Sequence, residues 1–141
     1  MANWTNVSIC VVLETKNIDR FLSLFEPSSK MRFYRAFIGE RSVQNLKQGI
    51  SAVYLSCSCA WSAYSSFFSA KKPSQTDVKY VRLDNVIKAL NIKALVAYAK
   101  EEGIGFEESF EYEATDGNVR YKSRDLFRNP SEVEGILNEQ I

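Results

Sequence analysis

The residues Asn91–Glu102, NIKALVAYAKEE, decide how this chain folds. Alanine, lysine, leucine and glutamate dominate them, so helix propensity is high. Joined to Leu83–Leu90, they would form one helix of about twenty residues ending at Gly103, a natural position after a helix C-terminus. The rival reading breaks the chain at Asn91 and runs a strand through Ile92, Ala94, Val96 and Tyr98. Local pattern alone leans to the helix.

The next stretch is less ambiguous. Gly105–Ala114, GFEESFEYEA, alternates: Phe106, Glu108, Phe110 and Tyr112 take one face, and Glu107, Ser109, Glu111 and Glu113 the other. TDGN then forms a hairpin turn, with Gly117 where a positive φ is needed. Val119 and Tyr121 continue on a return strand that sets Arg120, Lys122 and Arg124 opposite the acids. Such cross-strand pairs contribute roughly 0.2–1 kcal/mol each and pin the register. After Pro130, Ser131 and Glu134 form a capping box that opens a last short helix over 131–140.

Working back towards the N-terminus, Ile50–Phe68 (ISAVYLSCSCAWSAYSSFF) carries no charge in nineteen residues. Ile50–Ala60 reads as a central strand. Val53, Leu55, Cys57, Cys59 and Trp61 face the helices, while Tyr54, Ser56 and Ser58 form a more open face. SAYSSFF reads as a loop, followed by a polar break at Lys71–Ser74. Trp4–Leu13 reads as another strand. Asn17 is placed as the N-cap of a short helix whose stripe is Ile18, Phe21, Leu22 and Phe25. Met31–Ile38 suits a strand or an extended connection. ERSVQNLKQ, between Gly39 and Gly49, suits a short helix. Leu83–Leu90 suits a helix with Asp84 as its N-cap.

The 141 residues suit one domain with a real core: 45% are hydrophobic and 13% aromatic. No run of about 18 apolar residues is present to span a membrane. MANWTNVS has neither the basic start nor the apolar core of a signal peptide, which implies a cytoplasmic protein. The three cysteines, Cys10, Cys57 and Cys59, make no disulfide framework and read as small buried hydrophobes.

The chain has no histidine, which removes Ser-His and Cys-His nucleophile pairs, imidazole metal sites and the commonest general base. The charge is split along the chain. Residues 1–100 hold 14 Lys/Arg against 6 Asp/Glu, net +8, and residues 101–141 hold 4 against 11, net −7. That asymmetry points to an interaction surface.

Three stretches together resemble a known family: the opening MANW before a strand, the strand end CAWSAY, and YAKEEGIGFEESFEYEATDGNVRY. They are similar to the YubB-type ferredoxin-like domain of small phage, plasmid and genomic-island proteins. Residues 62–80 and the C-terminal helix fall outside the resemblance. It implies an α+β, ferredoxin-like domain, a mainly antiparallel sheet with helices packed on one face. It also implies that Ile92–Lys100 is a strand, Glu101–Gly105 a hairpin loop, and Gly105–Ala114 its partner strand. It supplies a mobile-element setting and no catalytic residues or cofactor.

Three surfaces are candidates for function. Trp61, Tyr64, Phe67 and Phe68 with Lys71 and Lys72 form either core or an exposed patch of binding hot spots. Seven acids, Glu101, Glu102, Glu107, Glu108, Glu111, Glu113 and Asp116, form either a solvated sheet face or a strip that enters a basic groove on a partner. They lack the ligand spacing of a divalent-cation loop. Arg32, Tyr34, Arg35, Arg41 and Lys47 form a basic and aromatic set of the kind that stacks single-stranded nucleic acid. The combined expectation is a non-enzymatic binder of a host protein or ribonucleoprotein complex. An anti-CRISPR-like inhibitor of host defence is its most concrete form, and a nucleic-acid-binding module is the alternative.

Overall fold

In the computed structural model, residues 4–60, 62–68, 77–101 and 106–125 are described. The elements, in order, are β1 (Trp4–Glu14), a 3₁₀ turn at Thr15–Asn17, α1 (Ile18–Ser23), β2 (Met31–Arg32), β3 (Ala36–Lys47), β4 (Ile50–Ala60), α2 (Ala63–Phe67), β5 (Lys79–Tyr80), α3 (Leu83–Ala89), β6 (Ala94–Glu101), β7 (Phe106–Glu113) and β8 (Arg120–Asp125). Six strands form one sheet in the order β3-β4-β1-β6-β7-β8, with every neighbouring pair antiparallel. β2 and β5 make a separate two-residue parallel pair.

The ferredoxin-like expectation is overturned. The described residues are mostly antiparallel strand, a six-stranded sheet with a few short helices. Among the described residues the three α-helices span six, five and seven residues. Part of the difference lies at residues 40–47, expected as helix and found in β3. Val43 there pairs with Val53, and Gly49 at φ +78° lets the chain reverse directly into β4.

Packing overrides propensity at Asn91–Glu102. Asn91 adopts φ +51°, which ends α3, and Ala94–Glu101 becomes a strand between β1 and β7. Leu95, Ala97 and Ala99 point into the core, while Val96 and Tyr98 point out. Register with β1 sets this, because Val11 and Leu95 are paired and both buried.

The core lies on one side of the sheet. Val7, Ile9, Val11 and Leu13 of β1 run down its middle, beside Val53, Leu55, Cys57 and Cys59 of β4. Phe21 and Leu22 from α1, Phe25 from the turn after it, and Leu83, Val86 and Ile87 from α3 close over them. Asn17 stands at the N-cap position of α1 but makes no capping hydrogen bond. Its amide instead donates to the Leu90 carbonyl at 3.0 Å, tying the start of α1 to the end of α3. At α3 the N-cap position is Arg82, and Asp84 lies in the first turn, 3.3 Å from the Arg82 guanidinium. Gly117 has the expected positive φ, +83°. The C-terminal helix expected at 131–140 lies outside the described residues.

Candidate functional site

The loop expected after β4 is α2. Ser62 caps it, accepting from the Ser65 N–H at 3.1 Å. A second cap comes from across the fold: the Glu108 carboxylate accepts from the N–H groups of Ala63 and Tyr64 at 2.7 and 2.8 Å. Tyr121 donates its hydroxyl to the same carboxylate at 2.6 Å. Glu108 is fully buried, so its charge is compensated by three donors in place of water.

This geometry sorts the aromatic candidates. Phe67 is core, with ring centroids 6.2, 4.8 and 5.6 Å from Phe25, Phe33 and Phe110. Phe68 is half-buried against Phe110 and Tyr121. Tyr64 is exposed, resting on Phe68 and Tyr121. Trp61, Lys71 and Lys72 lie outside the described residues. Phe67 is therefore removed from any contact surface, because α2 turns it inward.

The acids also divide, by the period-two alternation of a strand. Glu101 and Glu108 point inward and are buried. Glu107, Glu111 and Glu113 stand on the opposite face, and Glu102 lies outside the described residues. On that face Glu111 pairs with Arg120 at 3.1 Å, which also reaches Asp116 at 3.6 Å. Glu107 stands between Lys100 and Arg124 in the pairing register and hydrogen-bonds Tyr98, an interaction that raises the tyrosine pKa. The acidic strip is thus neither continuous nor uncompensated.

Nor does the basic and aromatic set form one surface. Arg32 and Tyr34 pack on Tyr80 at the β2–β5 pair, whereas Arg41 and Lys47 belong to the edge strand β3.

The surface that the fold does assemble is the open face of the sheet. Three cross-strand rows define it. One runs Ser42, Tyr54, Cys10, Val96, Glu111, Arg120. The next runs Ser56, Ser8, Tyr98, Ser109, Lys122, and the third Phe37, Ser58, Asn6, Lys100, Glu107, Arg124. Tyr54 is 45% exposed, Val96 60% and Tyr98 48%. They rise around a floor of small residues, Ser8, Cys10 and Ser56, and with Glu40 and Arg41 enclose a shallow concavity of about 540 Å³. Trp4 and Phe37 extend the aromatic surface towards the strand end, their rings 6.0 Å apart. Strand period in the sequence marks the Tyr54 face as the more open one. It misses Val96 and Tyr98, whose partnership with Tyr54 depends on β1 lying between β4 and β6.

Cys57 and Cys59 are buried on the helix side. The hydrogen bond that the Cys57 thiol donates to Cys59, together with burial, pushes the Cys57 thiol well above its ordinary pKa, towards the unreactive protonated form. Cys10 departs from the expectation for all three, being half-buried on the open face. Among the described residues no His, Cys, Asp or Glu cluster is arranged to hold a metal ion, and no helix is long and apolar enough to cross a membrane.

No family model matches the chain, and neither a curated protein nor a solved structure matches it.

Proposed function

We propose that this chain is a binding module that engages another protein through the open face of its sheet, without chemistry of its own. The observation that carries the reading is the uncharged centre formed by Tyr54, Val96 and Tyr98 over Ser8, Cys10 and Ser56. Around it stand charges of both signs: Lys100, Arg120, Lys122 and Arg124 against Glu40, Glu107, Glu111 and Glu113. An aromatic, charge-poor centre with a polar rim is the anatomy of a protein interface. Exposed tyrosines supply binding energy at low entropic cost. A phosphate backbone asks for uncompensated cations. On this face Arg120 is paired with Glu111, and Glu107 stands between Lys100 and Arg124. That balance favours protein over nucleic acid.

The resemblance adds the setting. A small mobile-element protein of this kind would bind a host protein or ribonucleoprotein complex stoichiometrically. Inhibition of a host defence system, in the manner of an anti-CRISPR protein, is the most concrete form.

The test compares the full chain with a Tyr54→Ala/Tyr98→Ala variant as bait in host lysate, with thermal melting of both. The expected result is a partner retained in fixed stoichiometry by the first and lost by the second at unchanged melting temperature. Equal capture by both overturns the reading. Binding of single-stranded RNA or DNA that weakens with salt and is lost in the variant would replace the protein partner with a nucleic acid.

A further inference from the structure

The two edges of the sheet are not alike. β8 carries Arg120, Lys122 and Arg124, all exposed, and like charges along an edge discourage another strand from pairing there. β3, the opposite edge, is twelve residues long, and among the described residues β4 is its only neighbouring strand. Its register against β4 shifts between Ile38 and Arg41 and again between Asn45 and Lys47. Between those irregularities, Arg41–Asn45 (RSVQN) forms a regular ladder of five residues with one charge. Every one of the five is exposed. An edge strand directs alternate N–H and C=O groups outward, so this window presents unpaired backbone groups to a new strand.

We propose that β3 pairs antiparallel with β3 of a second copy of this chain, about a twofold axis through Val43, to give a continuous twelve-stranded sheet. The sequence of the window is self-complementary in that register. Arg41 meets Asn45 of the second copy, a cation facing an amide carbonyl, and Ser42 meets Gln44. Val43 meets itself. No like charges stand directly opposite one another. A perpendicular twofold axis keeps each side chain on its own face of the joined sheet. Arg41, Val43 and Asn45 share the side of Leu55, Val53 and Ser51, while Ser42 and Gln44 share the side of Tyr54 and Ala52. Val43 is 51% exposed on the helix side of the sheet, so the two valines would cover each other. The pairing leaves the Tyr54–Tyr98 face open on both copies and stands independently of what that face binds.

Sedimentation of the full chain over a concentration series tests this. The expected result is a mass that doubles with rising concentration, and a Val43→Lys variant that remains at the single-chain mass because two ammonium groups then face each other. In a Cys10→Ser background, Val43→Cys should form a disulfide-linked dimer under mild oxidation. Opposed antiparallel positions bring the two Cα atoms within the range a disulfide needs. Asn45→Cys, facing Arg41, should not. A wild-type chain that stays at the single-chain mass at high micromolar concentration overturns the proposal. So does a dimer that Val43→Lys leaves intact, or one that Asn45→Cys cross-links as well as Val43→Cys does.

Discussion

The Tyr121 hydroxyl donates to the Glu108 carboxylate at 2.6 Å, and through that one oxygen β8 is joined to the start of α2. Thirteen residues separate Tyr121 from Glu108, while forty-five separate Glu108 from Ala63. The carboxylate therefore couples the β7–β8 hairpin to a helix placed by β4. This is a buried charge satisfied entirely by hydrogen bonds from the protein, the condition under which such a charge is tolerated.

Removing that carboxylate strands three donors. Glu108→Ala should cost about 3 kcal/mol or more of stability, since each unsatisfied buried donor costs roughly 1–3 kcal/mol. Glu108→Gln keeps one acceptor oxygen but turns an NH₂ towards donors, and should cost about 2 kcal/mol. Urea denaturation of both variants measures this; values within about 0.5 kcal/mol of wild type, the range of an ordinary surface substitution, would show that the carboxylate does not hold the fold.

Burial, with the Glu108 hydrogen bond second, raises the Tyr121 pKa well above the ordinary tyrosine value of 10.0. A neutral phenol retained in the folded state while the unfolded chain ionises means that the unfolded state binds fewer protons. The contribution is complete below pH 10 and is lost as pH rises above it. Denaturant midpoints between about pH 8 and about pH 11 should fall for the wild type and fall less steeply for Tyr121→Phe. Parallel curves would remove Tyr121 as the cause.

The sequence leaves Phe67 as either core or part of an exposed aromatic patch, and the structure makes it core. Phe67→Ala should therefore cost about 3–5 kcal/mol, the usual range for a buried phenylalanine. Tyr64→Ala, at a half-exposed ring, should cost about 1 kcal/mol or less. Thermal melts of the pair distinguish the two roles, and equal small losses would return Phe67 to the surface.

Asn17 joins α1 to α3 through the Leu90 carbonyl. Asn17→Ala should cost about 1–2 kcal/mol. Asn17→Asp should cost at least as much, because it sets a carboxylate against a carbonyl oxygen. An aspartate variant as stable as wild type would mean that the side chain acts as a cap, which is the role its sequence position suggests.

Features set by near neighbours were legible in the chain. The alternation of Glu107–Glu113 and the two faces of Ile50–Ala60 follow from the strand period alone. Gly117 takes the positive φ its turn demands, and the Phe21–Leu22–Phe25 stripe is buried as its helical spacing requires. Alternation also separated Glu108 from Glu107, although nothing local revealed that Glu108 would be a buried cap. Composition alone narrowed the chemistry, since a chain without histidine has no imidazole to act as base or ligand.

Tertiary structure decided the rest, because the deciding partners are distant in sequence. Ala94–Glu101 has helical composition and becomes a strand because β1 and β7 offer it a ladder on each side. Residues 40–47 become an edge strand because β4 pairs with them, although they bury almost nothing themselves. The helix at Ala63–Phe67 is capped from Glu108, and Asn17 reaches Leu90 instead of its own helix. The open face shows the same division. Strand period puts Tyr54 on its exposed side, but only the strand order β4-β1-β6 brings Val96 and Tyr98 beside it. Periodicity states which residues share a side of one strand; only hydrogen-bonded register between strands states which of those sides become one surface.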